Sequence, residues 1–147
     1  MPKHVLLVAE DNAVDAMLLE RALRRAGSSF KMVRVSNGEE LIDYVQARGP
    51  YEDRAQHPAP KMILLDLKMP KKDGFAVLRW RQSTPAGCQL PVIVFSSSSL
   101  EQDINQAYSL GANSYVVKPT APERLESMVK AMHEWWAGFN TTALKSA

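Results

Sequence analysis

Acidic, basic and hydroxyl side chains stand at the ends of four separate apolar runs in this sequence. They are Glu10 and Asp11 after 4–9, Asp66 after 61–65, Ser96 at the end of 90–96, and Lys118 after 114–117. A carboxylate such as Asp66 at the end of so apolar a run is costly unless a cation or hydrogen-bond donors meet it. Three clustered carboxylates would repel each other unless a cation joined them, and carboxylate oxygens are the hard ligands that Mg²⁺ prefers.

Each of these residue types has a use in phosphoryl transfer. Asp66 would lie deepest and is the candidate nucleophile, because a carboxylate can accept a phosphoryl group as an acyl phosphate. Lys118 would offer a positive charge to phosphoryl oxygens, and Ser96 would offer a hydroxyl donor. Catalysis would then consist mostly of positioning and charge stabilisation.

Five strand–helix units must position these residues. Apolar or β-branched runs predict strands at 4–9, 31–35, 61–66, 90–96 and 114–117, and helical periodicity predicts helices at 12–26, from 37 onward, 74–83, 100–110 and 122–136. Short connections between alternating elements imply an α/β fold with one parallel sheet covered by helices on both faces. Ligands bind such sheets beyond the carboxyl ends of the strands, so the polar side chains are expected to share one cleft.

Composition is that of an ordinary single-domain globular protein. The 147 residues carry a net charge of +2 with dispersed basic side chains, which argues against a nucleic-acid partner. No apolar run approaches the ~18 residues of a membrane span, and the first run is too short for a signal peptide. One cysteine, Cys88, excludes an internal disulfide and fits a reducing cytoplasm, where we expect the protein to reside.

These residues together resemble the receiver domain of two-component response regulators. The resemblance rests on Glu10-Asp11, Asp66 with Met69-Pro70 and Asp73-Gly74, Ser96, and Tyr115-Val-Val-Lys118-Pro119, and it covers about residues 4 to 136. The spacings of 30 residues from Asp66 to Ser96 and 22 from Ser96 to Lys118 also agree with it. It implies a flavodoxin-like, doubly wound, five-stranded parallel sheet of order 2-1-3-4-5 with five flanking helices.

The resemblance also implies a role for each site residue. Asp66 would accept a phosphoryl group from the phosphohistidine of a histidine kinase, in a domain that catalyses its own phosphorylation and dephosphorylation without being a conventional enzyme. Mg²⁺ would be bound directly by Asp11, Asp66 and the Lys68 carbonyl, and through water by Glu10. The phosphoryl group would be contacted by Lys118, Ser96 and Ser97. Ser96 and Tyr115 would act as the switch. A cis bond between Lys118 and Pro119 is expected as well.

A narrower resemblance links the chain to the small stand-alone regulators paired with bacterial and cyanobacterial phytochromes. It rests on the long insertion 48–60, the Pro-Lys-Lys-Asp-Gly run at 70–74 and a tail after the last helix. The expected partner is therefore a histidine kinase, with a bacteriophytochrome as the candidate. We expect a receiver domain at 1–136 and a tail at 137–147 that is too short for an output domain, so that output passes through protein contacts or onward phosphotransfer.

Two positions depart from the commonest receiver pattern. Lys68 stands where many receivers carry asparagine, and Ser98 stands where many carry an acid. Both side chains would flank the path of hydrolytic water, so the lifetime of the phosphoryl group is left open.

Other function classes fit the residues less well. A haloacid-dehalogenase hydrolase would need a second acid two residues after Asp66, where Lys68 stands. A flavodoxin-like module for flavin or nucleotide would need a glycine- or hydroxyl-rich loop after the first strand, where Glu10 and Asp11 would repel phosphate. A generic relay or a motor-binding receiver without any photoreceptor stays open as the alternative.

Aromatic residues near the end of the chain suggest self-association. Leu125, Val129, Met132 and Trp136 share one helical face and are expected in the core. Trp135 lies on the flank of that face and Phe139 follows in the tail, and aromatic residues are enriched at interfaces. We therefore expect a homodimer with Trp135, Phe139 and Tyr108 near the centre of its interface.

Overall fold

Five strands and five main helices alternate along the part of the chain that the structure describes. This structure, a computed structural model, describes residues 4–140, apart from the side chains of Ala86, Cys88, Ala137 and Phe139. The elements are β1 His4–Ala9, α1 Ala13–Arg25, β2 Phe30–Val35, α2 Gly38–Val45, β3 Pro60–Leu65, α3 Gly74–Ser83, β4 Val92–Ser96, α4 Glu101–Ser109, β5 Ser114–Val117 and α5 Pro122–His133.

All five strands are parallel and follow the order β2-β1-β3-β4-β5. The doubly wound α/β fold predicted above is therefore confirmed. The chain passes from β1 outward to β2 and then returns to the other side of β1, which makes the β1–β3 boundary the switch point of the sheet. Ala9 is paired with Leu65 there, and the amide of Asp66 donates to the Ala9 carbonyl at 3.1 Å. The residues that follow β1 and β3 are thus neighbours.

Two apolar layers cover the sheet. Side chains alternate between the faces of a strand, so the central strands contribute to both layers: Leu7, Ile63, Leu65, Val92 and Val94 to one, and Leu6, Val8, Met62, Leu64 and Ile93 to the other. The second layer also receives the inner face of α5. Leu125, Val129 and Met132 are buried there and Trp136 packs partly buried beside them, which confirms the predicted core face.

The last helix ends earlier than its periodicity predicts. Regular α-helix stops at His133, and Glu134–Phe139 continues in wider, π-type turns. The ring of His133 stands edge-on to Phe30, and its Nε2 accepts from the Ser29 amide at 3.2 Å. The predicted tail 137–147 falls only in part within the described residues, because 141–147 lie outside them.

The insertion 48–60 is not a plain loop. It contains a 3₁₀ turn at Gly49–Tyr51, and it folds back over Tyr44, whose hydroxyl donates to the Pro58 carbonyl at 2.9 Å. Arg54 lies over the Tyr44 ring and donates to the Val45 carbonyl at 2.8 Å. The insertion is therefore packed against the end of α2. A further short helical turn, Pro85–Cys88, follows α3 and was not predicted.

None of the helices within residues 4–140 combines the length and apolar character that crossing a membrane requires.

The loop between β3 and α3 is held tightly against the end of β3. Asp73 caps α3 by accepting from the Ala76 amide at 2.9 Å, and the Gly74 amide donates to the Leu67 carbonyl at 2.9 Å. A Cβ atom on Gly74 would meet the Asp66 carbonyl oxygen at 2.5 Å and the Leu67 Cα at 2.7 Å. Glycine at 74 therefore permits the close approach of α3 to the chain around Asp66.

Gly74→Ala should destabilise the protein because the added methyl group meets backbone atoms that cannot move aside. Overpacking of this kind costs about 1–3 kcal/mol, which urea denaturation would measure. Gly138→Ala is the matched control, since a Cβ there meets nothing within 4 Å. Equal stabilities for the two variants would contradict the packing role of Gly74.

Candidate functional site

A cluster of carboxylates lies at the carboxyl edge of the sheet, at its switch point. One oxygen from each of Glu10, Asp11 and Asp66 lies within 4.8 Å of the others, with Glu10 and Asp66 buried and Asp11 exposed. Among the described residues this is the group whose geometry suits a metal ion. Three carboxylates with access to solvent on one side fit a hard divalent cation such as Mg²⁺, which binds few protein oxygens and keeps several waters.

Lys118 reaches across the edge of the sheet into this cluster. Its Nζ lies 2.5 Å from Glu10 Oε1, 3.0 Å from Asp15 Oδ2 and 3.2 Å from Asp66 Oδ2. Its amide donates to the Ser96 carbonyl at 2.8 Å, which ties the end of β5 to the end of β4. The five polar residues predicted to share a cleft are thus brought to one edge.

The peptide bond before Pro119 differs from expectation. No peptide bond within residues 4–140 is cis, so the predicted cis bond after Lys118 is wrong. The trans form is the ordinary preference of an X–Pro bond. Lys118 reaches the carboxylates with the bond in that form.

Burial and mutual contact shift the protonation of this cluster. Burial raises the pKa of Glu10 from 4.5 to about 7; the Lys118 hydrogen bond opposes the rise and the Asp66 carboxylate adds to it. Burial would lower the pKa of Lys118, but hydrogen bonds to Glu10 and Asp15 and the charge of Asp66 outweigh it, and that pKa is raised. Lys118 therefore keeps its positive charge throughout the physiological range.

Two residues that the sequence analysis did not identify hold the β1–α1 loop in place. Arg34, on β2, donates from Nε to the Glu10 carbonyl at 2.9 Å and from Nη2 to the Asp11 carbonyl at 3.1 Å. Asn12 caps α1 by accepting from the Asp15 amide at 3.0 Å. The Asn12 cap could have been found from its place before a helical pattern, whereas nothing in the spacing of Arg34 points to Glu10.

Lys68 and the loop around it form the outer wall of the site. The Lys68 amide lies 3.4 Å from Asp66 Oδ1, so this backbone stands beside the carboxylate. An open groove of about 560 Å³ continues outward from there, and it is lined by Asp11, Leu67, Lys68, Met69, Pro70, Asp73, Phe75 and Asp103. The groove gives solvent or a donor group access to the carboxylate cluster.

The predicted switch residues meet at one loop residue. Ser96, almost fully buried, accepts at Oγ from the Ser98 amide at 3.1 Å, and the Tyr115 hydroxyl donates to the Ser98 carbonyl at 2.8 Å. The Ser98 hydroxyl itself donates to Asp103 Oδ2 at 2.6 Å, which ties the loop to α4. Ser97 is exposed at the surface of this loop. Ser98 therefore links Ser96, Tyr115 and α4.

The residues predicted for a dimer interface are only partly described. Trp135 is 57% exposed and Tyr108 is 49% exposed, so both offer aromatic surface to solvent. The side chain of Phe139 lies outside the described residues.

Comparison with known proteins defines the class to which this fold and site belong. The family model described as "Response regulator receiver domain" matches residues 6–130. The chain therefore belongs to the response regulator receiver family.

Three similar proteins show which kinds of response regulator this chain resembles. FilR2 of Methanothrix harundinacea, a probable methanogenesis regulatory protein, is 34% identical over 136 residues, which cover 92% of this chain and 85% of FilR2. The crystal structure of RPA3017, a response regulator in red light signalling of R. palustris, has a TM-score of 0.91 and 33% identity, covering 97% of this chain and 99% of its own. The crystal structure of the phosphorylated cyanobacterial phytochrome response regulator RcpA has a TM-score of 0.85 and 35% identity. The match covers 95% of this chain and 98% of the RcpA chain. Among its structural neighbours are thus stand-alone regulators associated with phytochromes.

Tyr115→Phe should loosen the loop at Ser98 while leaving the sheet intact. The variant loses one hydrogen bond, worth about 0.5–1.5 kcal/mol, and amide exchange at 98–100 should become faster than in the wild type. Tyr108→Phe is the control, because the Tyr108 side chain is half exposed on α4. Unchanged exchange in the Tyr115 variant would show that its hydroxyl does not hold the loop.

Proposed function

We propose that this protein is a response regulator that accepts a phosphoryl group from a histidine kinase on Asp66, with Mg²⁺. The observation that supports this most strongly is the contact of Lys118 with Asp66, at 3.2 Å, beside two further carboxylates at the switch point of the sheet. A partly buried lysine within reach of a candidate nucleophile suits phosphoryl oxygens, which attract positive charge. Family membership supports the same reading.

The transfer would follow from what these residues can do. A carboxylate oxygen of Asp66 attacks the phosphorus of phosphohistidine; the O–P bond forms as the P–N bond breaks, and the electron pair returns to the imidazole ring. Lys118 offers an N–H to the phosphoryl oxygens, and Ser96 offers its hydroxyl. Hydrolysis of the acyl phosphate returns the Asp66 carboxylate and inorganic phosphate.

Mg²⁺ would be held by Asp11, Asp66 and the Lys68 carbonyl, with Glu10 acting through water. When bound, it supplies positive charge that offsets the carboxylates and the phosphoryl oxygens. The clustered oxygens of Glu10, Asp11 and Asp66 support this assignment. Arg34 would contribute by holding the backbone that carries Glu10 and Asp11.

Signalling would pass from Asp66 to the surface through Ser96, Ser98 and Tyr115. If Ser96 turns toward a phosphoryl group, it gives up its contact with the Ser98 amide, and the loop that Tyr115 holds is free to rearrange. The face formed by α4, β5 and α5 would change as a result. We propose that residues 1–136 form the receiver and that its output passes through protein contacts in the cytoplasm.

The kinase is proposed to be a phytochrome, because RPA3017 and RcpA are associated with red light and phytochrome signalling. The similarity to FilR2 favours a second candidate, a receiver that serves a kinase without a photoreceptor. Phosphotransfer from a purified phytochrome kinase, compared with unrelated histidine kinases at equal concentration, would separate the two. Preferential labelling by an unrelated kinase would reject the phytochrome assignment.

Asp66→Asn should abolish phosphorylation while leaving the fold intact, because it removes the only carboxylate assigned as nucleophile. Incorporation of labelled phosphate from a phosphohistidine donor would be measured. Asp73→Asn is the matched control, because Asp73 lies on the same loop and asparagine also caps helices well. Labelling of the Asp66 variant at the wild-type rate would refute the assignment.

Affinity for Mg²⁺ should increase from pH 6 to pH 8. Since the pKa of Glu10 is raised to about 7, a cation must compete with a proton below that pH, and the affinity falls as pH drops through 7. One linked proton limits the change to about tenfold per pH unit, and the dependence should level off above pH 8. Calorimetric titration would measure it, and Glu10→Gln should flatten it. A flat wild-type profile would contradict the role of Glu10.

Self-association is proposed through the exposed side chains of Trp135 and Tyr108, together with Phe139. Light scattering should give twice the monomer mass at micromolar concentration, and truncation after Glu134 or Trp135→Ala should lower it by removing buried aromatic area. Met17→Ala is the control, because Met17 is equally exposed but lies on α1. A full-length protein that stays monomeric at high micromolar concentration, with and without phosphorylation, would disprove the proposal.

A further inference from the structure

Asp15 is a fourth carboxylate at the site that none of the assigned roles uses. It lies in the first turn of α1, and its Oδ2 is 3.0 Å from Lys118 Nζ, across 103 residues of sequence. Its own amide is fixed by the Asn12 cap at 3.0 Å, so the first turn of the helix holds Asp15 in register with the lysine. The contact therefore joins α1 to the end of β5.

We infer that Asp15 is a positioning residue that holds Lys118 in the unphosphorylated state and competes with the phosphoryl group for it. This inference rests on the proposed phosphorylation of Asp66. Asp15 would touch neither the phosphoryl group nor Asp66, and it would act only through the Lys118 ammonium.

The donors of Lys118 are fully engaged before any phosphoryl group arrives. An ammonium group donates three hydrogen bonds, and Lys118 makes three, to Glu10, Asp15 and Asp66. Phosphoryl oxygens on Asp66 would lie beyond the carboxylate that now faces Lys118. Nζ must therefore shift outward to reach them, and at least one present contact must lengthen.

Differences in burial decide which carboxylate gives up its contact. The Glu10 side chain is 4% exposed and lies 2.5 Å from Nζ, whereas the Asp15 side chain is 40% exposed. A buried carboxylate that loses its partner remains unsolvated, which is strongly unfavourable. Asp15 would instead be hydrated by water as the lysine leaves. Asp15 is consequently the partner that Lys118 releases, and Glu10 is the one that it keeps.

Loss of the Asp15 charge should strengthen the binding of a phosphoryl mimic. Beryllofluoride, a tetrahedral anion that attaches to a carboxylate without further reaction, would be titrated into the wild type and Asp15→Asn in the presence of Mg²⁺. A partly exposed ion pair is worth little, so Asp15→Asn should bind beryllofluoride about twofold to fivefold more tightly. Asp15→Glu restores the charge and should return the affinity toward the wild-type value.

Two controls separate positioning from simple charge repulsion. Glu20→Gln makes the same change of charge at an exposed position on α1 and should leave the affinity unchanged. In a Lys118→Ala background, Asp15→Asn should have no effect, since the lysine through which it acts is gone. A merely structural role for Asp15 would not depend on Lys118.

The outcomes distinguish this inference from the proposed function. Wild-type binding with an unchanged Asp15→Asn variant, or an effect that persists in the Lys118→Ala background, overturns the inference alone. Failure of the wild type to bind beryllofluoride with Mg²⁺ overturns the proposed function and the inference with it. Tighter binding that Asp15→Glu reverses and Lys118→Ala abolishes supports both.

Discussion

The site depends on the balance between one partly buried ammonium group, that of Lys118, and the carboxylates that surround it. Removing such charges from water costs several kcal/mol per ion, and mutual attraction repays this only when the groups are paired and hydrogen-bonded. Lys118 contacts Glu10, Asp15 and Asp66 at once, which still leaves two negative charges in excess when all three acids are ionised. Protonation of Glu10, whose pKa is raised first by burial and further by the Asp66 carboxylate, is one response to that excess. A divalent cation is another, and it leaves the carboxylates ionised.

Hydrogen bonds and close packing also hold the loops that carry these charged groups. The β1–α1 loop is fixed by Arg34 from the neighbouring strand, and the β3–α3 loop is fixed by the close approach of Gly74 to the Asp66 backbone. The β4–α4 loop is held instead by side-chain contacts that centre on Ser98. Hydrogen bonds of this kind can exchange partners without disturbing the sheet, and the proposed signalling route runs through this loop.

Membership of the protein family and the choice of a signalling partner depend on different features of the molecule. Membership of the receiver family rests on the match over residues 6–130, and it does not identify a kinase. Recognition of a protein partner depends on surface side chains, which lie outside the buried part of the site. The chain accordingly resembles both FilR2 and the red-light regulator RPA3017 at nearly equal identity.

The local pattern of apolar and polar residues in the sequence predicted most of the strands and helices and most residues of the candidate site. The bounds of α3 and β5 agree with prediction, and the other strands agree within two residues, because apolar periodicity and end signals act over a few neighbouring residues. Strand ends identified Glu10, Asp66, Ser96 and Lys118 for the same reason. Tertiary structure decided the contacts of Asp15 with Lys118, of Arg34 with the β1–α1 loop, and of His133 with Ser29. Those pairs are far apart in sequence, and only the crossovers and strand order of the sheet bring them together.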